Sequence, residues 1–194
     1  WTAISVGPSR KREIFESYVS KYAHTNPHYL RFPNDSARVR LKKLEEYRTY
    51  FEEKGKFLLI NGEEITSSLN NLPIHVNGVN MTKLIPKQTG ANNTEILQKV
   101  TDEMLAQERV SGKNMLFFFN HPNFGPNLTA EDMMNVKGAR MFEVANIGSN
   151  GNYGGGGRDS TEVMWDKINI HNLNKGLPLM YGVATDDMHD LESQ

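Results

Sequence analysis

Apolar positions recur along this chain at two periods, one helical and one strand-like. Ile14, Phe15, Tyr18, Val19 and Tyr22 follow Ser9 at helical spacing and predict a helix over residues 8–22. Residues 25–38 hold Pro27, Pro33, Asn34 and Asp35 and read as a loop. A second helix is predicted over 42–54, with Leu44, Tyr47 and Phe51 as its stripe and Gly55 as its stop. The short apolar run 56–60 suits a buried strand. A polar turn at 66–71 then leads into a second strand at 73–79. Residues 94–110 place Ile96, Leu97, Val100, Met104 and Leu105 on one helical face, ended by Gly112. Met115-Leu-Phe-Phe-Phe119 is the clearest strand of the chain. Thr129 caps a short helix reaching about Val136, 140–145 is a strand, Ser160 caps a helix over 160–174, and 179–185 is the last strand.

Strands separated by helices point to parallel pairing, because a parallel crossover needs about a dozen residues. The class is therefore α/β, with mostly parallel strands alternating with helices. An open doubly wound sheet and a β/α barrel both fit this pattern. No internal repeat and no long linker interrupts it, so residues 1–194 read as a single domain.

Composition narrows the chemistry. The 194 residues suffice for one domain, or two small ones, with a core that needs no staple. The cysteine count is 0, which removes thiol nucleophiles, thiolate metal sites and redox pairs. Lys+Arg is 22 against Asp+Glu 23, a net charge of -1, so no nucleic-acid partner is expected. No apolar run approaches the roughly 18 residues of a membrane span. The chain opens on Trp1 without a leader, so it is expected to be a piece of a longer protein, and its compartment stays open.

The polar candidates stand just after predicted strands. Glu63 and Glu64 follow the 56–60 run, His121 follows Met115–Phe119, and Asp186, Asp187 and His189 follow the last strand. Active sites of open α/β sheets and of β/α barrels lie at the carboxyl ends of strands. His75 is different, since it lies inside an apolar strand. Imidazoles with carboxylates make a hard-to-borderline ligand set suited to Zn, Fe or Mn. Each residue also has a plainer reading: a solvated turn for the glutamates, a hydrogen-bonded core histidine for His75. Held between a very apolar strand and a Pro-containing loop, His121 in Asn120-His-Pro-Asn123 is the strongest single candidate. His24 and His28 lack the Glu of a zinc-protease helix and have Pro27 between them. His171 reads as a surface residue. The Gly151–Arg158 stretch lacks the phosphate-loop patterns, although Arg158 beside the Ser160 cap could meet an anion there.

Taken in order, Gly62-Glu-Glu-Ile-Thr66, Ile74-His-Val-Asn-Gly78, Asn120-His-Pro122 and Thr185-Asp-Asp-Met-His189 resemble the PHP superfamily, the polymerase and histidinol phosphatase type of metal-dependent phosphoesterases. Residues 119–146 and 160–166 look like a bacterial branch of it. The resemblance implies a distorted (β/α)7 barrel, here incomplete, holding more than one divalent metal (Zn, Mn or Fe). It implies Glu64, His75, His121, Asp187 and His189 as metal ligands, with Glu64, His121 and Asp187 at the chemistry. Glu63 would be a neighbour, not a ligand. Glu143, Asn146 and Arg158 stand where a substrate loop would be. The reaction implied is hydrolysis of a small phosphorylated substrate by a metal-bound hydroxide.

The chain departs from the family at both ends. The H-x-H and Asp-His motifs expected before the first helix have no counterpart, and relatives continue beyond His189. This chain is therefore expected to be a fragment truncated at both ends, to bind metal weakly or not at all, and to have little activity. Its open barrel edges are expected to favour homo-oligomers or strand exchange. The alternatives are a non-catalytic PHP-like binding or structural module, and another metal-dependent β/α-barrel enzyme of amidohydrolase or sugar-isomerase type.

Overall fold

The stretch Gly62–Leu69 forms strand β3 and turns at Asn70 and Asn71 into strand β4, Leu72–Val79. Both turn residues have positive φ, 51° and 65°, as a two-residue turn between antiparallel strands requires; asparagine tolerates it. The polar residues read as a turn at 66–71 therefore continue the strand as far as Leu69.

In the computed structural model the described residues are 3–5, 38–40, 44–124, 127–147 and 156–187. The helix expected over 8–22 and nearly all of the loop at 25–38 lie outside them. By its internal contacts the chain divides into two units, Trp1–Leu59 and Ile60–Gln194. The first contains antiparallel strands β1 (Ala3–Ser5) and β2 (Arg38–Arg40) and helix α1 (Leu44–Phe51). The buried strand expected at 56–60 is not there: Phe57, Leu58 and Ile60 are exposed, and Phe57 makes only an isolated bridge back to Glu53.

The second unit continues with α2 (Asn93–Ser111), β5 (Leu116–Phe119), α3 (Ala130–Met134), β6 (Met141–Asn146), α4 (Thr161–Asn174) and β7 (Tyr181–Thr185). Caps set the helix boundaries. Asn92 accepts the Glu95 N–H, Thr129 and Asp132 form a reciprocal capping box, and Ser160 accepts the Val163 N–H. Gly112, with φ 65°, ends α2.

The strands form one sheet in the order β3-β4-β5-β6-β7. β4 is antiparallel to both β3 and β5, while β5, β6 and β7 run parallel. This overturns the incomplete (β/α)7 barrel and the mostly parallel pairing. The described residues make an open, mixed five-stranded sheet with helices. Two features account for the difference: β3 and β4 are a hairpin, and the α2 connection returns β5 antiparallel to β4.

Alternation along the strands divides the sheet into two faces. Ile65, Ile74, Val76, Phe117, Phe119 and Phe142 point to one face. They pack in a single cluster with Ile96, Val100 and Met104 of α2, Met133 of α3, and Met164 and Ile168 of α4. Gly78 keeps this face close to α2, since a Cβ there would stand 2.5 Å from Met81 Sδ and 3.1 Å from Met104 Sδ. Glu64, Thr66, His75 and Asn77 alternate with these residues and point to the opposite face. Glu143, next to Phe142, joins them.

Candidate metal centre

The hairpin register sets Thr66 opposite His75 and Glu64 opposite Asn77. Glu64 and His75 are thus diagonal neighbours on one face, within reach of long side chains. Glu63 points the other way and accepts the Ile85 N–H at 2.9 Å, which pins the segment after β4. Strand alternation thus separates two adjacent glutamates into two roles.

β5 delivers the third group. Its ladder with β4 runs one step past Phe119, where the Asn120 N–H donates to the His75 carbonyl at 3.0 Å. His121 is thereby held beside His75 at the strand's end. The Asn120 side chain accepts the Asn77 N–H at 3.0 Å and donates to Glu64 Oε1 at 3.3 Å. One asparagine thus spans β4 and the carboxylate on β3.

Glu64 Oε1 stands 3.0 Å from His75 Nδ1, which stands 3.2 Å from His121 Nε2. All three ligating atoms lie within 4.8 Å of one another and could hold a metal ion. Donors about 2.0–2.1 Å from a tetrahedral zinc stand roughly 3.3 Å apart, so the two measured separations fit that spacing. Protons alone serve the trio poorly. His75 Nδ1 carries at most one hydrogen, yet it faces both a carboxylate oxygen and a second imidazole nitrogen. A cation would satisfy all three lone pairs together. The His121 ring is buried against Phe124, with ring centroids 5.0 Å apart, while Glu64 and His75 keep 26% and 18% of their side-chain surface in solvent. The site is walled on one side and open on the other.

A second polar group adjoins it. Glu143 is 1% exposed. A register shift between Glu143 and Ala145 marks a bulge in β6, a device that re-aims side chains at strand ends. Its Oε2 accepts the His121 backbone N–H at 2.6 Å and Asn146 Nδ2 at 2.9 Å, and its Oε1 accepts the Thr185 hydroxyl at 2.7 Å. Asn146 Nδ2 also lies 3.4 Å from Asp187 Oδ2. Asp187 follows β7 with φ 47° and is half-buried.

Of the residues singled out from sequence, Glu64, His75 and His121 come together as one ligand cluster. Asp187 is connected to it through Asn146 and Glu143 and is not one of the three clustered ligands. Glu143 and Asn146 lie behind His121. Arg158 is exposed on the loop before Ser160, and His189, His24 and His28 lie outside the described residues. His171 is half-buried in the last turn of α4. Asn120 and Thr185 were not singled out. The run of polar residues straight after Phe117-Phe-Phe119 was the available signal for Asn120; nothing local marks Thr185. Asn123, on the same loop as His121, donates to the Asp159 carbonyl at 2.9 Å, while its buried Oδ1 has no hydrogen-bond partner among the described residues. Among the described residues no helix is long and apolar enough to cross a membrane. Neither family models, nor curated proteins, nor solved structures provide a match to this chain.

Proposed function

We propose that the polar face of the sheet is the metal centre of a metal-dependent hydrolase, a phosphoesterase of the type the sequence resembles. The observation that supports this reading is the convergence of Glu64 Oε1, His75 Nδ1 and His121 Nε2 from three consecutive strands. One carboxylate and two neutral imidazoles suit zinc, manganese or iron(II). Held by Glu64, His75 and His121, a divalent cation would supply Lewis acidity, to acidify a water and to draw electron density from a phosphoryl oxygen. The chain's own groups supply position. Asn120 orients the Glu64 carboxylate, and the β4–β5 ladder fixes the distance between the two imidazoles. Phe124 shields one side of His121. The solvent-facing side of Glu64 and His75 leaves room for a small phosphorylated substrate. Self-association through the sheet edges β3 and β7 belongs to the same reading.

The test is metal dependence at a defined place. Because three ligand atoms converge although the N-terminal motifs are absent, one equivalent of weakly held Zn2+ or Mn2+ per chain is expected, lost in His121→Ala. Slow metal-dependent release of p-nitrophenol from p-nitrophenyl phosphate or its diester is expected with it, in keeping with the little activity expected of a truncated chain, and is also lost in that variant. Stoichiometric binding with neither ester cleaved replaces the hydrolase by a metal-holding module. Absence of binding removes both.

A further inference from the structure

Glu143 is a carboxylate almost wholly removed from water, beside Asn120, His121 and Asn146, which are themselves buried. A buried charge is retained at a cost unless it is fully hydrogen-bonded. Here it is: the three donors, the His121 backbone N–H, Asn146 Nδ2 and the Thr185 hydroxyl, divide its two oxygens between them. The shortest contact, 2.6 Å, goes to the backbone of the histidine whose ring faces Glu64 and His75. A charged acceptor makes that bond shorter and stiffer than a neutral one would. The other two donors come from the ends of β6 and β7. They hold the carboxylate from behind, and its burial closes it to a substrate.

We infer that Glu143 is a positioning residue: it anchors the backbone of His121 so that Nε2 stands at ligand distance from His75 and Glu64. Through Asn146, the same anchor registers the Asp187 segment against the cluster. The inference rests on the proposed metal centre only in what His121 is positioned for. The anchor itself is a property of the chain alone. Groups that orient metal ligands typically change metal affinity by about 10- to 100-fold when removed.

The experiment compares the full chain with Glu143→Gln by two readouts. Zinc affinity is measured by titration with Zn2+ alone. The His121 backbone amide is followed by proton–nitrogen NMR without metal. The glutamine keeps the size and can turn its carbonyl to the two N–H donors and its N–H2 to the Thr185 hydroxyl, so what it removes is the charge. Zinc binding is expected to weaken about 10- to 100-fold, and the His121 amide proton to move upfield as its charged acceptor is lost. Glu108→Gln is the control, because Glu108 also accepts a backbone N–H, from Met115 at 2.9 Å, but takes no part in the cluster. It should change neither readout. Either readout unmoved in a folded Glu143→Gln chain overturns the inference. If Glu143→Gln does not fold, Thr185→Val is read in its place. That variant removes one donor to the carboxylate at constant shape, and it should weaken zinc severalfold and shift the same amide, with either readout unmoved again overturning the inference. If the wild-type chain binds no zinc, the metal centre is lost as a reading, and the His121 amide alone decides whether Glu143 anchors that backbone.

Discussion

On one side of the sheet Ile65, Ile74, Val76, Phe117, Phe119 and Phe142 lie beneath three helices; on the other, Glu64, Thr66, His75, Asn77 and Glu143 hold polar groups outside that core. The same strands make both faces, and consecutive residues alternate between them. The apolar face draws its stability from area removed from water, which is non-directional and tolerant of detail. The polar face depends on a few bonds of fixed length, such as the 3.0 and 3.2 Å separations at His75. Damage to the first should therefore appear as lost stability, and damage to the second as lost binding at nearly constant stability.

The largest effect should come from Phe119→Ala. Phe119 is fully buried in the cluster, and truncating such a ring costs about 3–5 kcal/mol. Urea unfolding should show the midpoint fall steeply. A loss below about 1 kcal/mol would mean that the helices do not depend on this face. Gly78→Ala tests the same face from the opposite direction, by overfilling it. The added methyl meets Met81 Sδ at 2.5 Å and Met104 Sδ at 3.1 Å. Both are flexible thioethers, so the expected cost is toward the low end of the 1–3 kcal/mol range of overpacked cores.

His75→Ala tests the other face. Without metal the variant should unfold within about 1 kcal/mol of wild type, because His75, although largely buried, lies on the polar face and packs in no core cluster. With metal the two should separate. A cation at a hundred times its dissociation constant stabilises the wild type by about 2.7 kcal/mol and should add nothing to a variant lacking a ligand. Equal thermal shifts for both chains on adding Zn2+ would place the metal elsewhere. The contrast between the faces is sharpened if Phe119→Ala loses stability and His75→Ala loses only the metal-linked part.

The same contrast explains how much could be read from the residues. Helices α2 and α4 were legible because their stripes, caps and stops are local: Ile96, Leu97 and Val100, Ser160, and Gly112. β5 was legible because three phenylalanines in a row have few other places to go. β3 was not, because Ile65 is its only strongly apolar buried residue; its other buried position is Ser67, satisfied by the Gln88 N–H at 3.1 Å. The more apolar run at 56–60 took its place in the reading and is exposed. Of the site, Glu64, His75 and His121 were legible as ligand-type residues, but only His121 stands past the end of a strand; Glu64 lies within β3, not after a strand at 56–60, and His75 within β4. Their support was not legible. Asn120 reaches Glu64 across 56 residues, and Thr185 reaches Glu143 across 42, and only the folded sheet reveals such pairs.

The smallest effect concerns a carboxylate at the edge of the apolar side. Glu108 on α2 forms a two-pronged bond with Arg140, at 3.1 and 2.9 Å, and accepts the Met115 N–H; the same guanidinium lies 5.7 Å above the Phe117 ring. Partial burial opposes its charge, but the bonds from Arg140 and Met115 outweigh this, so the carboxyl is held below its ordinary value of 4.5. A carboxyl lowered in the folded state stabilises when charged. That contribution is complete above the ordinary value and is lost as pH falls through the lowered one. Glu108→Gln should therefore be less stable than wild type at pH 7, by about 1 kcal/mol or less because Arg140 is nearly half exposed and screened. The difference should hold steady down to the ordinary carboxyl value and shrink below it. Unfolding both chains in urea from pH 7 downward measures it. A gap that stays constant below the ordinary value would mean that Glu108 contributes through shape and not through charge. On this side of the sheet a carboxylate would then be only another packing group, unlike Glu64 on the other.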